Sequence, residues 1–145
     1  MSIAAILLAA PTLPFAPASA QFASTPLNQS QIATRLFGKR LIGEYADGQS
    51  WAENFNTDGT SDYVQDGRLS VGRMFFDLDL LCFSYQPQEL TGGCFEVWQR
   101  GTNCFDFYAR TSIIASRTDR QFGRNWDARA WIEGVEATCQ AGLIS

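Results

Sequence analysis

The stretch LLCFSYQ at residues 80–86, followed by GCFEVWQ at 93–99 and CFDFYAR at 104–110, decides the fold. Alternation places Leu81, Phe83 and Tyr85 on one face of the first segment and Cys82 and Ser84 on the other. In the same way Phe95 and Val97 oppose Cys94 and Glu96, while Phe105 and Phe107 oppose Cys104 and Asp106. A period of two is that of a strand with one face in a core. The three cysteines therefore share the polar face. That register lets Cys82 bridge Cys94 across a hairpin and leaves Cys104 for Cys139 beyond the last strand. Loop-closure entropy makes the two bonds worth about 3 and about 4 kcal/mol.

Working outward, the same alternation, punctuated by Asp47-Gly48, Asp58-Gly59, Asp66-Gly67, Asp77-Leu78-Asp79 and Arg100-Gly101, predicts antiparallel hairpins. Strands are expected at about 41–45, 49–56, 60–65, 68–76, 80–86, 93–99, 104–110 and 126–133. Ahead of them, Asn28 and Gln31 form a capping box, Leu27 and Ile32 a hydrophobic staple, and Gly38 a left-handed stop, so a short helix is predicted from Asn28 to Phe37. The fold class is all-β: a small antiparallel up-and-down barrel or closed sandwich of about eight strands with a short N-terminal helix. A barrel of this size is filled by side chains or holds one small ligand.

Trp51-Ala52-Glu53-Asn54-Phe55, Asp58-Gly59-Thr60, Gly72-Arg73-Met74, Leu81-Cys82-Phe83 and Cys94-Phe95, with Trp126, Trp131 and Cys139, resemble small secreted proteobacterial proteins of unknown function with a lipocalin-like β-barrel. The likeness spans about Gly43 to Cys139. Gly72-Arg73-Met74 stands where such barrels carry glycine-x-tryptophan, so the usual Trp is absent. The resemblance implies fold and compartment and brings no catalytic residues.

Residues 1–20 hold no charged side chain and run from an apolar Ile3–Ala10 stretch to Ala18-Ser19-Ala20. They are expected to be a signal peptide cut after Ala20, although the usual basic start is missing. Residues 21–27 are then a linker and 28–145 a disulfide-stapled β domain, placed in the periplasm or secreted. No transmembrane span is expected once the signal peptide is removed. Four cysteines behind an export signal favour disulfides over thiols. No His is present and no Cys spacing is of the C-x₂-C type, which argues against structural zinc. The run Asn56, Asp58, Thr60, Asp62 lacks the glycine placement and closing Glu of a calcium loop. Metal and cofactor are expected to be none.

Of the 145 residues 46% are hydrophobic and 18% charged, with 11 Phe, 4 Trp and 4 Tyr, a globular composition. The net charge of −4, without a Lys/Arg block, argues against nucleic acid as partner. Without His, the usual Ser and Cys nucleophile systems lack their base. Two places remain where a function can reside. Glu53 shares a strand face with Trp51 and Phe55, where burial raises a carboxyl toward general-acid range; the plainer expectation is a strand-end Glu paired with an Arg. Arg117, Arg120, Arg124 and Arg129, interleaved with Phe122 and Trp126, form either an anion site or a solvated loop whose Arg stems cover the rings. The resulting expectation is an exported, non-catalytic barrel that acts as a binding or structural protein of the cell envelope, with a small ligand or an envelope protein as its partner. Its rival is a carboxylate-dependent enzyme acting through Glu53.

Overall fold

The structure, a computed structural model, describes residues 25–86, 92–111 and 114–139. The expected signal peptide lies outside them. Helix α1 (Gln29–Leu36) precedes eight strands: β1 (Lys39–Tyr45), β2 (Ser50–Phe55), β3 (Thr60–Gln65), β4 (Arg68–Asp77), β5 (Leu80–Gln86), β6 (Gly93–Gln99), β7 (Phe105–Ala109) and β8 (Ala128–Ile132). A second helix, α2 (Arg117–Gln121), stands between β7 and β8. Each strand pairs antiparallel with the next, and β8 pairs with β1, so the sheet closes as a barrel in chain order. Closure removes every sheet edge, and it resolves the choice between barrel and sandwich.

The turns follow their residues. At Asp66-Gly67 both central residues have positive φ, 50° and 73°, which is the type I′ geometry whose twist matches the flanking strands. At Asp58, the carboxylate accepts from Thr60 N at 2.9 Å, and Asn56 bonds Thr60 and Asp62, so these side chains serve the β2–β3 turn.

Helix α1 closes one end of the barrel. Asn28 caps it and Gln31 completes the capping box, while Ile32 and Leu36 are fully buried and Leu27 joins the same core cluster. Gly38 turns the chain at φ 76° and donates to Phe55 O at 2.6 Å. The helix start is anchored across the barrel end, where Gln29 N donates to Asp79 at 3.0 Å and Leu27 N to Val97 O at 2.7 Å. Replacing Asn28 with Ala removes one reciprocal pair and is expected to cost about 1 kcal/mol by denaturant titration. A loss of only a few tenths would show water standing in for the cap.

Both expected disulfides are present, Cys82–Cys94 and Cys104–Cys139, and Cys82 and Cys94 are directly paired across β5 and β6. Their face is not the solvated one that alternation suggested. Cys82, Cys104, Asp106, Trp98 and Tyr108 are all buried although they face away from the barrel core: Ala115, α2 and Trp126 cover Trp98, Tyr108 and Asp106, the segment ending at Thr138 and Cys139 covers Cys104, and Cys82 pairs with Cys94. Trp98, Tyr108 and Ala115 form a second apolar cluster there, with Trp126 against it. For the same reason the last strand begins at Ala128 rather than Trp126.

Part of the Arg-rich segment is helical rather than a plain loop. Ser116 and Asp119 form a capping box that starts α2, a signal of the same type as the one at Asn28. Arg120 pairs with Glu96 at 2.9 Å, Arg124 with Asp119 at 3.1 Å, and Arg129 with Asp106 at 2.5 Å. Arg117 is exposed. Arg124 lies over Phe122 and Arg129 over Trp126, at 5.5 Å and 4.8 Å, so the expected covering of rings by Arg does occur.

Candidate functional site

Inward-facing positions of β2, β3, β5, β6 and β7 build a closed circuit of aromatic rings around the barrel axis. Trp51 stacks on Tyr63 at 6.3 Å, Tyr63 meets Tyr85 at 5.6 Å, and Tyr85 stacks on Phe83 at 6.1 Å. Phe83 then meets Phe95 edge-on at 6.0 Å, Phe95 meets Phe107 at 6.3 Å, and Phe107 returns to Trp51 at 6.4 Å. The circuit rests on Gly43, because a Cβ there would come within 2.4 Å of the Trp51 ring. Opposite α1, these rings surround a cavity of about 80 Å³ for the centres of water-sized molecules. One water needs only ~10–15 Å³ by that measure, so the space holds several waters or one small ligand.

Tyr45, Trp51, Tyr63, Gly92 and Gly93 lie toward its mouth, at the end of the barrel away from α1. Tyr45 and Tyr63 join hydroxyls there at 2.8 Å, and Tyr63 donates onward to Gln65 at 2.9 Å. Toward the interior stands Glu53, opposite Leu41 on β1 and Tyr63 on β3, with 3% of its surface exposed. Glu53 lies within β2 rather than at its end, and no Arg pairs with it among the described residues. Arg100 and Arg129 are held by Asp106 on the outside of the wall, while the barrel interior supplies Glu53 with a phenol: Tyr85 donates to Oε1 at 2.7 Å. No Lys or Arg lines the cavity among the described residues.

The electrostatics follow from this geometry. Burial pushes Glu53 up to about 7; the nearby hydroxyls of Tyr85 and Ser61 oppose that rise, and the charge of Asp62 adds to it. The same burial raises Tyr45, Tyr63 and Tyr85, each pushed further by Glu53, so Tyr85 stays a donor. Ser61 Oγ is near enough to act on the carboxyl but meets no partner in hydrogen-bond geometry. Trp51 Nε1 is likewise buried without an acceptor. Two orphaned polar atoms beside a cavity are uncommon in a finished core, where more than nine in ten buried groups are paired.

Of the residues singled out from the sequence, Glu53 alone lies at this site. Arg120, Arg124 and Arg129 are spent on ion pairs outside the barrel. The aromatic circuit was partly visible, since alternation sets Phe83, Tyr85, Phe95 and Phe107 on inner faces; that Trp51 and Tyr63 complete it needs the barrel's closure. The chain matches no protein-family model, no curated protein and no solved structure.

Proposed function

We propose that the domain is an exported, lipocalin-like binding protein of the periplasm or extracellular space, carrying one small ligand inside the aromatic circuit with Glu53 as its polar anchor. The carrying observation is the cavity itself: apolar walls and one buried acid that meets no cation among the described residues, toward the end of the barrel away from α1. Binding sites of small molecules have this make-up, a mostly apolar lining with a few convergent polar groups. Export is supported by the two disulfides, which a reducing cytosol would open.

Indole N–H resonances provide the test, with p-cresol as the probe. The Trp51 signal is expected to shift saturably, whereas Trp98 and Trp126, in the outer cluster, stay in place. Ala128→Leu, which fills the lining without adding polarity, should abolish the shift while the protein still melts cooperatively. Equal, unsaturating shifts at every indole would refute the site.

One observation favours a second reading, an enzyme acting through Glu53: an acid near pH 7 can both give and take a proton. Glycosidase chemistry needs a second facing carboxyl, and Glu53 is the only one among the described lining residues. A carrier returns its ligand unchanged. An enzyme consumes it, and stops doing so in Glu53→Gln.

A further inference from the structure

We infer that the cavity selects a small organic cation, an amine or quaternary ammonium, with the Glu53 carboxylate as its counter-charge. This rests on the ligand-binding reading above and names the ligand's chemistry. Six ring faces and edges enclose the space, and aromatic faces attract a cation through their quadrupole, most strongly when water is excluded. An anion would meet the opposite. It would find ring faces and a carboxylate, and no Lys or Arg among the described lining residues.

Glu53 supplies the second, independent reason. Glu53 faces no positive group among the described residues, and such a buried carboxyl is stable only while protonated, or once a cation arrives with the ligand. A purely apolar ligand would leave the acid without a role, and a core Gln or Leu would serve it better. The rim adds a weaker attraction of the same sign. Asp47 and Asp66, on the β1–β2 and β3–β4 turns at the mouth, are close enough for their charges to act on Tyr45 and Tyr63. The chain's net charge of −4 favours cation approach too.

Three probes of one frame separate the outcomes: benzylammonium, benzyl alcohol and benzoate, titrated calorimetrically at pH 8 and pH 5. The groups facing Glu53 are Tyr85 on β5, Ser61 and Tyr63 on β3, and Tyr45 on β1, with Asp62 acting from the outer side of β3. The three tyrosines are all raised above their ordinary range, so the change between these pH values belongs to Glu53. At pH 8 benzylammonium is expected to bind about tenfold or more tightly than benzyl alcohol, with benzoate not binding. At pH 5 that preference should collapse, because a proton then occupies the carboxyl, and in Glu53→Gln it should be gone at both pH values. Benzyl alcohol binding as well as or better than benzylammonium at pH 8 would overturn the cation assignment and leave the carrier intact. Failure of all three to bind would overturn both.

Discussion

Replacing Asp106 with Asn is expected to cost about 3–5 kcal/mol of stability, because it leaves two arginines with reduced access to water and no counter-charge. The carboxylate is fully buried and divides its oxygens: Arg100 Nε donates to Oδ2 at 2.7 Å, and Arg129 donates from Nε to Oδ1 at 2.5 Å and from Nη2 to Oδ2 at 3.0 Å. Arg100 also donates to the carbonyls of Arg120 and Gln121 and to Tyr108, and Arg129 to Gly123 O, so the pair ties α2 and its following turn to the barrel wall. Trp98 and Trp126 cover the two guanidinium groups, at 5.3 Å and 4.8 Å. Denaturant unfolding of Asp106→Asn checks the magnitude, and Glu133→Gln provides the scale. That second variant breaks a solvent-exposed pair with Arg40 and should lose under about 1 kcal/mol. Equal losses would mean that Asp106 is screened by solvent and does not organise the outer wall.

Asp106 also marks the limit of what the sequence made legible. Strand positions, Asp-Gly turns, the α1 capping box and the Cys82–Cys94 bridge are local or depend on a period of two and are legible from neighbouring residues, and Cys104–Cys139 follows as the pair that remains. Alternation states which residues share a face, but not what later covers that face. Alternation therefore places Cys82, Cys104 and Asp106 on a polar exterior, whereas the structure buries all three, Asp106 beneath α2 and its following turn and Cys104 beneath the segment of Thr138 and Cys139. Helix α2 was missed because its five residues carry no apolar stripe, although Ser116 and Asp119 form the same box that revealed α1. Glu53 was found from its strand face. Its partner was misjudged, since the choice between Tyr85, 32 residues away, and an Arg depends on how the barrel closes.

Stability between pH 5 and 7 is expected to fall by about 2 kcal/mol, and Glu53 is the cause. Its carboxyl is pushed up to about 7 in the folded chain, against ~4.3 for a free Glu, so within this window the native state holds a proton that the unfolded chain has released. Where the native state binds more protons, unfolding free energy decreases with pH, by 2.303RT, or about 1.4 kcal/mol, per unit for one proton. The favourable contribution is complete below pH ~4.3 and is lost as pH rises through 7. The chain has no His to titrate in this window, and the carboxyls of Asp58 and Asp119 are lowered away from it by their bonds to Thr60 and Ser116. Glu53→Gln keeps the shape and the Tyr85 contact while removing ionisation. Its stability should be nearly flat from pH 5 to 7, and above pH 7 it should exceed the wild type. Urea unfolding of both proteins across this range measures the difference directly. Parallel curves would place the Glu53 pKa near its ordinary value and remove the electrostatic basis for the enzyme reading, whereas a diverging pair fixes the charge state at which any ligand meets the cavity.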